Sequence, residues 1–191
     1  MKQITNDMYL LEGLRGSNVY LLISDSGLML IDAGMDGDAQ KIIDQLEQAG
    51  FDPANLESIV VTHAHVDHIG GIAKLVRRFG VDVISHHEEV PYLERVEHLP
   101  TSSWLQNAAR WLGNLLPGEE DSIEITRRLK EGDSLNALGG LRVMHTPGHT
   151  PGSMSLYQQE RAILFCGDLL FNGHPMTGRG GLQYAPRVFS V

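Results

Sequence analysis

The chain has 191 residues, enough for one sizeable hydrophobic core, and it reads as a single domain over 1–191. Its 15 Lys and Arg against 24 Asp and Glu give a net charge of −9, and no stretch gathers the basic residues into a patch. That balance excludes a phosphate-backbone partner such as nucleic acid. The longest apolar runs, such as Tyr20 to Ile23 and Ser58 to Val61, are strand-sized, far short of the roughly 18 residues of a membrane span. The opening MKQITNDMYLLEG places polar residues where a secretory leader needs an apolar core, and the one cysteine, Cys166, allows no intrachain disulfide. A cytoplasmic protein without a membrane partner is expected.

In chain order, MYLLE, NVYLLIS and LMLID read as short strands, with Asp25-Ser26-Gly27 closing a hairpin between the last two. GDAQKIIDQLEQAG carries Ile42, Ile43, Leu46 and Ala49 at helical spacing, with Gly50 as its stop. Leu56 to Val61 is a buried strand that runs into THAHVDHIGG, and IAKLVRRFG returns to helical spacing. VDVISH is a strand, and HEEVPYLERVEHL starts a helix that Pro91 interrupts or bounds. Between the capping cluster Thr101-Ser102-Ser103 and the stop Pro117-Gly118, residues Trp104, Leu105, Ala108, Trp111, Leu112 and Leu115 form an apolar helical stripe. Strands follow at Leu141 to His145, Ser153 to Tyr157 and Ala162 to Phe165, the last two separated by a turn at Gln159-Glu160. This mixture of strands and helices suits an α+β fold of two sheets packed face to face with helices outside.

The chemistry concentrates in His63-Ala64-His65-Val66-Asp67-His68, three imidazoles and one carboxylate within six positions at the end of an apolar strand. Imidazole suits zinc, copper, nickel or iron, and Asp adds a hard oxygen donor that offsets cationic charge. The following Gly70 and Gly71 are expected to let the chain turn sharply into the next helix. Downstream, Thr146-Pro147-Gly148-His149-Thr150-Pro151-Gly152-Ser153 forms a tight loop that holds His149 rigidly, and Phe165-Cys166-Gly167-Asp168 places a carboxylate at the end of a third strand.

The run H-A-H-V-D-H, followed at long range by G-H-T-P-G-S and then G-D, resembles the metallo-β-lactamase superfamily. Asn18-Val19-Tyr20 and Leu30-Ile31-Asp32-Ala33-Gly34 look like that family's opening strands. The resemblance implies a four-layer αββα sandwich with metals at one edge between the sheets. By position, His63, His65 and His149 would hold a first metal, Asp67 and His68 a second, and Asp168 would bridge them. Asp32 would accept a hydrogen bond from a ligand or its loop and fix its orientation. The family's final histidine, on a loop after one more strand and helix, finds no counterpart before Val191, and His174 comes too early to take its place. The domain is therefore expected to be incomplete at its C-terminus, with the second metal short of one ligand. Part of the second sheet would then be exposed, which leaves a homodimer open.

A metal-dependent hydrolase follows from the resemblance: a metal-bound hydroxide would attack an ester, thioester or lactone carbonyl of a small-molecule substrate, with Asp67 or Asp168 moving the proton. Zinc, one or two ions, is the expected cofactor, with iron or manganese as alternatives. General members of the glyoxalase II-like and lactonase-like kind match best, although no extra helical domain for glutathione is apparent. A mononuclear iron dioxygenase on the same scaffold and a catalytically impaired metal-binding module are the competing readings. The Trp104 to Leu115 stripe is either a lid over the metals or a face packed on the sheet. Cys166 reads as a small buried core residue.

Overall fold

The computed structural model of the chain describes residues 1–97, 122–172 and 182–184, with the backbone alone for 171, 172 and 182–184. The predicted stripe from Trp104 to Leu115 and His174 lie outside these segments.

Seven strands form the first sheet: β1 (Lys2–Thr5), β2 (Met8–Leu11), β3 (Val19–Ile23), β4 (Leu28–Ile31), β5 (Leu56–Val61), β6 (Asp82–His86) and β7 (Arg127–Leu129), side by side in sequence order. The first four pair antiparallel, and β4 through β7 pair parallel. The switch follows from the connections: α1 (Ala39–Gln48) carries the chain from β4 to β5, and α3 (Ile72–Phe79) from β5 to β6. The second sheet is antiparallel, in the order β11 (Ile163–Phe165), β10 (Met154–Gln158), β9 (Leu141–His145), β8 (Ser134–Leu135). A separate hairpin pairs β12 (Leu170–Asn172) with β13 (Leu182–Tyr184).

The period-two alternation of strand side chains divides the core into two. On one face of the first sheet Leu21, Leu30, Ile59, Val61 and Val83 pack with Ile42, Ile43 and Leu46 of α1 and Ile72 and Leu75 of α3. On the other face Leu22, Met29, Ile31, Val60 and Ile84 meet Leu141, Val143, Met154, Leu156 and Phe165 of the second sheet. β4 and most of β5 are thus apolar on both faces, as strands covered by a helix layer and a second sheet must be. Each fully buried Leu or Ile contributes about 1.5–3 kcal/mol. In β9, buried Leu141 and Val143 alternate with exposed Arg142 and Met144, so the far face of the second sheet meets solvent there. Among the described residues the layers are helices, sheet, sheet, and no helix is long and apolar enough to cross a membrane.

Several elements depart from expectation for local reasons. β1 is mostly exposed and polar, and β7 is Arg-Arg-Leu, so neither carries an apolar signal; each is held by pairing with its neighbour. Pro91 stands in the first turn of the short helix α4 (Val90–Leu93), where its missing N–H costs nothing, and so opens the helix rather than interrupting it. Gly70 and Gly71 have ordinary helical backbone angles, φ −60° and −79°, and do not serve a sharp turn. They allow close approach: a Cβ on Gly70 would lie 2.1 Å from the Asp36 backbone N, and one on Gly71 2.4 Å from the Ala33 carbonyl oxygen.

Gly71→Ala would therefore push the start of α3 away from the loop after β4. A destabilisation of about 1–3 kcal/mol is expected, the usual cost of overpacking. It would appear as a lower urea midpoint at unchanged slope; parent-like stability would contradict the close approach.

Candidate metal centre

The parallel strands β4, β5 and β6 end on one edge of the sandwich, and each hands a polar group to the same place, as parallel sheets do at their carboxyl ends. Asp32 follows β4 directly, adopts φ 59° and is 2% exposed. Its carboxylate accepts the Thr62 backbone N–H at 2.8 Å, the Thr62 hydroxyl at 2.8 Å and His68 Nδ1–H at 2.8 Å. β5 runs out at Val61 into Thr62, after which His63 and His65 precede the single turn α2 (Val66–Ile69) that carries Asp67 and His68. β6 ends at His86, just before Glu89, whose buried carboxylate accepts the backbone N–H of Ala64.

The second sheet contributes the remaining groups. The loop after β9 is closed by Thr146 N–H to Ser153 O at 2.9 Å and by Thr150 N–H to Ser153 Oγ at 3.0 Å, with Gly148 at φ 137°. His145 stacks on His86 at 4.1 Å and donates from Nε2 to the Pro151 carbonyl at 2.9 Å. His149 is held 7% exposed at the centre of this loop. After β11, Gly167 at φ 50° lies against the Thr62 side chain and turns Asp168 into the cluster. Cys166 is half-buried rather than part of the core, its thiol near the Gly167 and Leu170 carbonyls.

One donor atom each from His63, His65, His149 and Asp168 lie within 4.8 Å of one another. His63 Nε2 faces His65 Nδ1 at 3.2 Å, and Asp168 Oδ2 lies 3.3 Å from His149 Nε2 and 4.0 Å from His63 Nε2. Four donors placed about 2.0–2.1 Å from a tetrahedral ion are about 3.3 Å apart, so these spacings fit a zinc-class cation. Asp168 Oδ1 points the other way, 3.2 Å from His68 Nε2, which is in turn 3.9 Å from Asp67 Oδ2. One carboxylate thus offers an oxygen to each of two adjoining sets of donors.

Tautomers support the same fit. With Nδ1–H given to Asp32, His68 turns Nε2 toward Asp168, where a bound cation would displace the proton that the two carboxylates otherwise favour there. The Thr62 hydroxyl, its proton directed to Asp32, is left to accept from His63 Nδ1–H at 3.1 Å, which bares His63 Nε2. His68 Nε2 and both ring nitrogens of His149 are buried without a hydrogen-bond partner. His68 Nε2 and His149 Nε2 lie 3.2 Å and 3.3 Å from the two Asp168 oxygens, close contacts of the kind a shared cation would fill.

Charge follows suit. Burial, then the neighbouring His68 and His65, hold His63 well below the ordinary imidazole value. Burial and then His149 push His65 down to about 4. For His68 burial disfavours the charged form, but Asp32 and then Asp168 outweigh it and push its pKa up to about 10. Burial also opposes ionisation of Asp168, yet its contacts with His149 and His68 hold it far below the carboxylate range. His63 and His65 are thus held neutral while His68, between Asp32 and Asp168, holds the positive charge that a bound cation would take over. The side chains of Asp67 and Asp168, 37% and 20% exposed, open it to solvent.

All six residues predicted from the sequence meet at this edge. Asp67 stands at its rim, held by Ser17 Oγ–H donating to the Asp67 carbonyl at 2.6 Å and by the close passage of Gly16. Sequence reasoning missed Thr62 and Glu89: a Thr at a strand end and one of two adjacent Glu residues carry no spacing signal.

The profile of the Metallo-beta-lactamase superfamily matches residues 13–188, and the chain belongs to that superfamily. It is 32% identical over 159 residues to the "Probable metallo-hydrolase YqgX" of Bacillus subtilis, covering 82% of this chain and 67% of that protein. It is 32% identical over 145 residues to the "Hydroxyacylglutathione hydrolase GloC" of Haemophilus influenzae, covering 75% of this chain and 61% of that one. Among solved structures, the metallo-β-lactamase MIM-1 of Novosphingobium pentaromativorans superposes with a TM-score of 0.67 at 29% identity, covering 85% of this chain and 57% of that chain. The chain thus spans about three fifths to two thirds of the length of these proteins.

Asp32→Asn keeps the shape of the side chain and removes the charge that orients His68 and, through Thr62, His63. Loss of such an orienting partner typically costs about 10–100-fold in metal affinity. A competition titration of zinc against a chromophoric chelator reads this directly, and wild-type affinity in the variant would contradict the role given to Asp32.

Proposed function

We propose that the chain is a metal-dependent hydrolase of small-molecule acyl substrates, with ester, thioester or lactone carbonyls as the target. The observation that carries this reading is the pair of donor sets meeting on opposite oxygens of Asp168. His63 Nε2, His65 Nδ1, His149 Nε2 and Asp168 would hold one ion, and Asp67, His68 and Asp168 a second. When bound, a zinc-class ion supplies a water acidified to near neutrality and a Lewis acid for the carbonyl.

The chain's own residues do the rest. Asp32 and Thr62 hold His68 Nε2 and His63 Nε2 aimed inward. Asp67 and Asp168, the partly exposed carboxylates, stand where a proton can be taken from the attacking water and passed to the leaving group. Val66, between His65 and Asp67, is 54% exposed and lines a cavity of about 450 Å³ with Met35, Ile69, Ala73 and the ion pair of Lys74 and Asp36 at 2.8 Å, apolar surface of a kind that suits an acyl group. The likeness to a hydroxyacylglutathione hydrolase, whose named substrate is a thioester, favours thioesters within this class.

Zinc-reconstituted protein should release free thiol from short-chain acyl thioesters without consuming oxygen, and a chelator should stop it. His149→Ala should lower that rate about 100-fold or more, because several kcal/mol of charge stabilisation are lost. Oxygen uptake without thiol release, or a His149→Ala protein as fast as the parent, would overturn the proposal.

A further inference from the structure

One fully buried carboxylate beside the cluster offers it no donor atom. Glu89, at the start of α4, is 0% exposed. Its Oε1 accepts the Ala64 backbone N–H at 2.7 Å and its Oε2 accepts the Gly152 backbone N–H at 2.7 Å. Ala64 lies between His63 and His65, and Gly152 lies three residues beyond His149. One side chain therefore grips the loops that carry all three clustered histidines, one loop from each sheet.

The grip is rigid at both ends. Glu89 is fixed by its own N–H donating to the His86 carbonyl at 2.9 Å and by its carbonyl accepting from Leu93 N–H at 3.2 Å. A Cβ on Gly152 would sit 2.3 Å from the Glu89 backbone N and 2.7 Å from its Cβ, so the far loop reaches this depth only as glycine. A buried carboxylate needs hydrogen bonds to both oxygens, and charge-assisted bonds of this length are among the strong ones. The same two loops are also joined by Met154 N–H to the Thr62 carbonyl at 3.1 Å, so Glu89 adds a second point and fixes their relative orientation.

We infer that Glu89 is a positioning residue of the metal centre: by bridging Ala64 and Gly152 it sets the distance and angle between the His63–His65 pair and His149. The inference rests on the metal-binding reading proposed above. It acts through backbone, so its removal leaves every donor in place and changes only their spacing.

Glu89→Gln presents one acceptor and one NH2 to two N–H groups, so one bond is lost and two donors face each other. Two variants and a control test the inference: E89Q, the shorter E89D that keeps the charge, and Leu46→Ala, which empties the core under α1 and serves as a destabilised protein with an intact centre. Cobalt(II) is titrated into each metal-free protein, and affinity and the visible ligand-field spectrum are recorded beside the melting temperature. The expected result is an affinity about 10–100-fold weaker in E89Q with an altered spectrum, a smaller change of the same kind in E89D, and wild-type affinity and spectrum in Leu46→Ala. Should E89Q not fold, E89D alone decides. Wild-type affinity and spectrum in the folded Glu89 variants, or an equal loss in Leu46→Ala, overturns this inference and leaves the metal reading standing. A wild-type protein that takes up no cobalt overturns the metal reading and this inference with it.

Discussion

The buried carboxylate of Asp32 is the contact on which the site depends. It sits at the end of β4 in a left-handed conformation, φ 59°, which Asp tolerates better than most residues but still at a local cost of order 1–3 kcal/mol. An ion at that depth survives because three donors converge on it: the Thr62 amide, the Thr62 hydroxyl and His68. Those donors belong to the segment that follows β5, so one interaction joins two neighbouring parallel strands and fixes which ring nitrogen of His68 faces Asp168. Thr62 extends the effect, since its carbonyl also accepts Met154 N–H from the second sheet.

Around that anchor the architecture gathers donors from distant parts of the chain by closeness of backbone. Ala33 N–H donates to the His68 carbonyl at 2.7 Å, and Gly70 N–H to the Gly34 carbonyl at 2.9 Å, which is why residues 70 and 71 carry no Cβ. The three histidines of the first cluster come from both sheets, and Asp168, the carboxylate that joins them to a neighbouring set, stays partly open to water, as does Asp67. The result is a buried, pre-aimed set of nitrogens beside an accessible rim, the arrangement a hydrolytic centre requires.

How much of this the sequence declares depends on whether a residue's role leaves a pattern. The strands that bury both faces, such as Leu28 to Ile31 and Leu56 to Val61, are continuous apolar runs and are plain to read. So are the ligand candidates, because three histidines and an aspartate at fixed spacing have few other uses. β1 and β7 are not legible, since pairing with a neighbour and not hydrophobicity holds them. Gly70 and Gly71 mislead in the other direction: the residue type is visible, but close approach and turning leave the same mark. Glu89 and Thr62 are silent because their partners are backbone amides or residues 25 to 63 positions away, contacts that exist only once β4, β5 and β6 lie side by side and, for Gly152, once the two sheets have packed.

The central claim is that His63, His65 and His149 turn bare ring nitrogens toward one cation that Asp168 completes. X-ray absorption at the zinc edge of protein loaded with one equivalent tests it most directly. A first shell of nitrogen and oxygen at about 2.0–2.1 Å, with outer-shell scattering from three imidazoles per zinc, is expected. A spectrum with one imidazole or none, or a shell of water oxygens, would contradict it.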